Sequence, residues 1–168
     1  MLDQKIDPVE LGLQIAAQLN KDIPAAQVIR AVERYSRSFF PVVRSFEYTF
    51  AAAGALSGLQ SIAVDNSYGL FITEIIGRQS SSDTDGYVEA IQFNNGYNML
   101  PERMPFVYLT RFTAAPLDWN MYVPPMSTIQ TNLRNGTTTA AATYGVSYKG
   151  YKLPTEFINK LTGGKAQG

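Results

Sequence analysis

The chain is predicted to be mainly β: an antiparallel β-sandwich or jelly-roll-like barrel preceded by one or two N-terminal helices. Three observations carry this. Apolar residues alternate with the two-residue period of a half-buried strand, as in Phe46, Tyr48 and Phe50 against Ser45, Glu47 and Thr49. Gly, Asn and Pro punctuate these runs at the short spacing of sheet turns. Residues 1–35 instead carry the four-residue spacing of a helical stripe. That region is expected to be a helical arm or lid, with a sandwich domain over 36–168 ending in a short helix and a loose tail.

The first helix is marked by Asp7-Pro8-Val9-Glu10: Asp caps, Pro takes the first helical position, and Glu10 completes a capping box. Leu11, Ile15 and Leu19 then form one apolar stripe, and Asn20-Lys21-Asp22 ends it. Pro24 opens a second helix with Val28, Ile29, Val32 and Tyr35 on one face. The opposite face carries Arg30, Glu33, Arg34 and Arg37, and Arg44 follows. This basic strip reads either as a solvated face or as a docking strip for an acidic partner.

From about residue 38 the period changes to that of strands. After the Phe46–Tyr48–Phe50 alternation come apolar runs at 61–64 and 68–76, parted by Asp65-Asn66-Ser67. Residues 77–86 read as a polar loop, and 87–93 as a strand closed by Asn94-Asn95-Gly96. Residues 106–112 alternate and are expected to be another strand. Pro116 and Pro124-Pro125 confine the segment around Trp119 and Tyr122 to an edge or a crossing loop. Asn135-Gly136 is expected to close a hairpin between 128–133 and 137–148, with Tyr144, Val146 and Tyr148 on one face. A short helix over 155–161 stops at Gly163-Gly164. Five tyrosines adjoin a glycine, among them Tyr68-Gly69, Gly86-Tyr87 and Gly150-Tyr151. These pairs read as strand-end chemistry, with glycine turning the chain and tyrosine covering the opened edge.

Composition bounds the function. The 168 residues hold no histidine and no cysteine, which removes the two commonest tools for neutral-pH proton transfer, soft-metal ligation and thiol chemistry. Fourteen basic and fourteen acidic side chains cancel, and no overall field favours nucleic acid or an anionic membrane. Charged residues make up 17% of the chain, below the usual share of about 25%, while apolar content is an ordinary 45%. Two stretches are almost uncharged: 51–73 holds only Asp65, and 113–148 only Asp118 and Arg134. Such faces suit burial against another protein. Met1-Leu2-Asp3-Gln4-Lys5 shows no secretory leader. Residues 46–64 hold Glu47, Gln60 and weakly apolar alanines, and read as core strands around a small-residue turn rather than as a membrane span.

Candidate chemistry is sparse. Asp83-Thr84-Asp85-Gly86 has the alternate carboxylates of a calcium loop, but Asn94 stands where a closing acid belongs. Glu47, Glu74, Glu89 and Asp118 could pair for glycoside hydrolysis, though no local motif supports it. There is no Ser-x-x-Lys, Gly-x-Ser-x-Gly or phosphate-binding glycine loop. Trp119, Tyr122, Tyr97 and Tyr108 could stack on sugars or bases, or simply pack as core and edge residues. Asn135-Gly136-Thr137 matches a glycosylation acceptor, which the expected hairpin explains equally well.

Taken together, the uncharged β-rich stretches, the Asn/Thr/Tyr/Gly bias, the leading helices and the Pro-punctuated segment 113–127 resemble small virion proteins. The likeness is to bacteriophage capsid-associated, decoration, penton or head–tail connecting components. It implies a non-enzymatic structural subunit in a symmetric particle, assembled in the host cytoplasm. No cofactor is expected. The partners would be copies of itself and other subunits, without direct nucleic-acid or membrane contact. The residues expected at interfaces are Leu11, Ile15, Arg30, Arg34, Arg37, Trp119, Tyr122, Tyr144 and Tyr148. The alternative is a carbohydrate- or receptor-binding sandwich, which needs Trp119 and several tyrosines exposed in one patch.

Overall fold

In the computed structural model, residues 7–19, 23–80, 85–93, 98–100, 102–110, 121–138 and 140–162 are described. Helix α1 spans Pro8–Leu19, and the Asp7 carboxylate caps it by accepting the Val9 N–H at 2.9 Å. Helix α2 spans Ala25–Tyr35, and the Pro24 carbonyl accepts the Gln27 N–H at 2.9 Å to close its first turn. Eight strands follow: β1 Phe40–Phe50, β2 Leu56–Ala63, β3 Tyr68–Gln79, β4 Tyr87–Phe93, β5 Met104–Pro105, β6 Met121–Val123, β7 Thr128–Arg134 and β8 Ala142–Pro154. Helix α3 spans Thr155–Thr162.

These strands form two four-stranded sheets in the orders β1-β8-β3-β6 and β2-β7-β4-β5. The pairings are antiparallel throughout. Among the described strands every connection but β4 to β5 passes from one sheet to the other. This is the jelly-roll order, two Greek keys wrapped into a sandwich.

Alternation drives the packing. Tyr144, Val146 and Tyr148 of β8 and Phe50 of β1 turn inward and are buried, with Leu70 and Ile72 of β3 beside them. Opposite stand Ile129 and Leu133 of β7 and Val88 and Ile91 of β4. Each such side chain is worth about 1.5–3 kcal/mol on burial. A bulge between Ile72 and Glu74 shifts the parity of β3, so that Ile75 again faces inward.

The two outward faces differ. Phe71 of β3 and Leu153 of β8 point away from the sandwich into a second cluster, with Val28 and Val32 of α2 and Phe157 and Leu161 of α3. The helices are therefore a third layer over part of the first sheet, not a segment apart from it. Gly12 sets the spacing of this layer, because a Cβ there would collide with Val32.

Four sequence expectations need correction. Asn135-Gly136 does not close a hairpin: β7 pairs with β2 and β4, while β8 pairs with β1 and β3. Positive φ among the described residues falls at Met126, Gly54 and Gly58, so Asn135-Gly136 lacks the left-handed geometry of a tight hairpin. It instead carries the chain between sheets. Residues 106–109 form a 3-10 turn, in which Phe106 and Leu109, three apart, both reach the core. Residues 111 and 112, the rest of that expected strand, lie outside the described residues. Gly77, Arg78 and Gln79 continue β3 rather than opening a polar loop, and a Cβ on Gly77 would press on Phe106 and Leu109. Of the glycine–tyrosine pairs, Tyr68-Gly69 and Gly86-Tyr87 lie at strand starts, Gly96-Tyr97 is outside the described residues, and Tyr144-Gly145 and Gly150-Tyr151 lie inside β8 rather than at a turned edge. Gly86 makes room for the Tyr144 ring, and Gly150 for the bulged backbone of β3 at Phe71.

Candidate assembly surface

A jelly roll has four sheet margins, and each presents unpaired backbone donors and acceptors that invite another strand. Three of them are blunted here. β5 and β6 hold two and three residues. β2 is broken by a register shift between Leu56 and Leu59, with Gly58 at φ 65°. Ser57 pins that bulge inward: its hydroxyl donates to the Gly58 carbonyl at 2.7 Å and accepts the Leu133 N–H at 2.9 Å.

β1 is different. It pairs with β8 over eleven residues with no register shift, from Phe40↔Lys152 to Phe50↔Ala142. Among the described residues no strand pairs with its other edge. Pro41 is its only residue without an N–H donor.

The charges on β1 are engaged within the molecule. Glu47 accepts from Arg78 at 3.0 Å across the outer face. Arg44 faces the interior side and donates to the Tyr68 hydroxyl, while Lys152 Nζ lies 4.4 Å from the centre of the Tyr68 ring. Arg44 therefore does not extend the basic strip of α2. Beside these groups stand exposed apolar side chains: Phe40 at 61%, Val43 at 56%, and Leu56 and Leu59 of the neighbouring β2 at 49% and 46%.

The outer face of the first sheet beyond the helices is a polar ladder. Ser45 meets Ser147 and Thr49 meets Thr143, both at 3.0 Å, and Lys149 pairs with Glu74 at 3.4 Å. The outer face of the second sheet is largely uncharged. Ser61, Gln130 and Gln92 are directly opposite one another across β2, β7 and β4, with the Gln130 amide donating to Ser61 at 3.3 Å. β2 and β7 come from the two charge-poor stretches of the sequence, and their one charge, Arg134, pairs with Glu89 of β4, which lies outside both.

The expected interface residues divide. Arg30, Arg34 and Arg37 are exposed on α2 and the turn after it. Leu11 and Ile15 lie on α1, but their side chains are outside the described set, and Trp119 and Tyr97 are outside the described residues. Tyr122 is half-buried against Gly69 and the helix layer, and burial raises its hydroxyl pKa well above the usual tyrosine value. Tyr144 and Tyr148 are fully buried, which corrects their expected place at an interface. The aromatic face of β8 is covered by the chain's own second sheet. The feature that sequence reasoning missed is the free edge of β1, since alternation gives the faces of a strand and not its neighbours.

Asp83 and Thr84 of the expected calcium loop lie outside the described residues. Asp85 accepts the Thr137 N–H at 2.9 Å and the Thr137 hydroxyl, holding the β7–β8 crossing. Among the described residues no three acidic side chains gather as metal ligands, and no helix is long and apolar enough to cross a membrane. The Asn135 amide of the glycosylation triplet is buried and donates to the carbonyls of Ala52 and Ala140, at 2.9 and 3.1 Å. Compared with known proteins, the chain matches no protein-family model and no curated sequence.

Proposed function

We propose that the chain is a non-enzymatic structural subunit of a large symmetric assembly, and specifically a virion protein. The observation that carries this is the β1 margin: among the described residues, one long, unbulged edge strand with no partner on its outer side, in a fold whose other margins are blunted. The largely uncharged outer face of the second sheet, where Arg134 is already paired with Glu89, adds a surface suited to burial without a large cost of desolvating charge. The jelly roll is shared by viral capsid and lectin domains, so it is compatible with this reading but does not establish it. The partners are copies of the chain and companion subunits of one particle. The test is light scattering of the purified chain across tens of micromolar, with electron microscopy of the native source. Concentration-dependent oligomers and density for the chain in a particle support the reading, and a clean monomer counts against it.

A further inference from the structure

We infer that β1 pairs antiparallel with β1 of a second copy, about a two-fold axis at Phe46, joining two first sheets into one continuous sheet. This names a contact for the assembly reading and rests on it. The register follows from the residues of the strand. A two-fold axis normal to the sheet keeps inner residues against inner and outer against outer, so it must pass through a residue position. An axis at Arg44 sets two guanidinium groups opposite each other, and one at Glu47 sets two carboxylates opposite each other, both unfavourable. An axis at Ser45 places Val43 against Glu47 and draws Pro41, which has no N–H to donate, into the ladder. An axis at Phe46 avoids all of this. Its ladder runs over 42–50 in each copy and leaves Pro41 outside.

The pairs made by that register are favourable ones. On the outer face Ser45 meets Glu47 of the second copy, and exposed Val43 meets Thr49. On the inner face Phe46 meets its own counterpart, Arg44 meets Tyr48, and Val42 meets Phe50, so aromatic and β-branched side chains line the seam. β1 already keeps an unbroken ladder with β8 along this whole length, so its backbone need not be remodelled to accept a second partner.

The absence of cysteine gives a clean background for crosslinking. Ser45→Cys and Glu47→Cys are made separately, one carrying a mass tag, and oxidised alone and as a mixture. Disulfides need Cα atoms about 4.4–6.8 Å apart. In the Phe46-centred register residues 45 and 47 are directly opposite, whereas 45 to 45 is offset along the strand by about 7 Å in addition to the strand spacing. The expected result is a tagged–untagged dimer in the mixture, several-fold more abundant than any dimer from either variant alone. Val43→Cys mixed with Thr49→Cys should behave likewise. Oligomers without these crosslinks, or equal crosslinking in the single-variant samples, overturn the register and leave the assembly reading standing. A monomer that crosslinks nowhere overturns both.

Discussion

The hydroxyls of Tyr148 and Thr131 hydrogen-bond to each other inside the sandwich, linking β8 of one sheet to β7 of the other. Both side chains are buried, so neither hydroxyl has water as an alternative partner. Tyr148→Phe strands the threonine hydroxyl and should cost about 1–3 kcal/mol, the penalty for one unsatisfied buried group. Thr131→Val should cost a similar amount by stranding the tyrosine. The double variant should lose less than the sum, because it removes both polar groups together. Urea denaturation of the four proteins closes this cycle, and strict additivity would contradict a direct bond.

Burial also makes alkaline pH a lever. Tyr148 and Tyr122 are held protonated well above the ordinary tyrosine value near 10, because their phenolates would be poorly solvated. In the unfolded chain both ionise near that ordinary value. Between the unfolded and folded values the unfolded state therefore binds fewer protons, and stability falls as pH rises. Spectrophotometric titration should show Tyr148 and Tyr122 ionising only with unfolding, and Tyr148→Phe should lower the number of such tyrosines by one.

Asn135 acts as a latch between crossings. Its amide donates to Ala52 in the β1–β2 link and to Ala140 before β8, while its own N–H donates to Ala55 at 2.9 Å. Next to it the Gly136 N–H donates to the Tyr144 hydroxyl at 3.2 Å. Asn135→Ala removes both amide bonds from a buried position and should destabilise by about 1–3 kcal/mol or more. Asn135→Asp replaces the donor with a buried carboxylate facing carbonyls, and should be worse near neutral pH than in mild acid. Denaturation midpoints of the two variants at both pH values check this.

Asn135 also shows where reading the sequence stopped. Asn-Gly between alternating runs is a sound local signal for a hairpin, yet β7 pairs with β2 and β4 while β8 pairs with β1 and β3, and the two part into different sheets. Local turn chemistry was outweighed by non-local pairing. The facing of Tyr144, Val146 and Tyr148 was legible, but which body covers that face was not. Phe106 and Leu109 fit a strand in a list of apolar residues and a 3-10 turn in space. The free edge of β1 depends on strand order, which one sequence does not contain. The helix starts at Asp7 and Pro24 were legible because capping is local.

Acid pH tests the other tie across the loops. The Asp85 carboxyl lies below its ordinary value of 3.8, chiefly because the Thr137 hydroxyl donates to its charged form and then because the Thr137 N–H does. A depressed folded value means the contribution is complete above the unfolded value and is lost as pH falls through the folded one. Thr137→Val should move the Asp85 titration, followed by NMR, back toward the ordinary carboxylate value. An unchanged titration would remove Thr137 as the cause.

Two glycines in β8 give opposite expectations. A methyl group on Gly145 meets Glu47 Cγ at 3.4 Å, an ordinary contact with a flexible, exposed side chain. Gly145→Ala should be neutral or stabilise slightly, since it narrows the unfolded ensemble. A methyl group on Gly150 would collide with the Phe71 carbonyl oxygen and lie 2.9 Å from the Ile72 Cα, both main-chain atoms that cannot rotate away. Those atoms immediately precede the bulge between Ile72 and Glu74 that returns Ile75 to the core. Relieving the clash means separating β8 from β3 or undoing that bulge. Undoing it would turn Glu74 inward and Ile75 outward. Gly150→Ala should therefore cost at least about 1–3 kcal/mol, and thermal unfolding should separate the two variants clearly. Equal stability would mean that the close approach of β3 and β8 is not required by the fold.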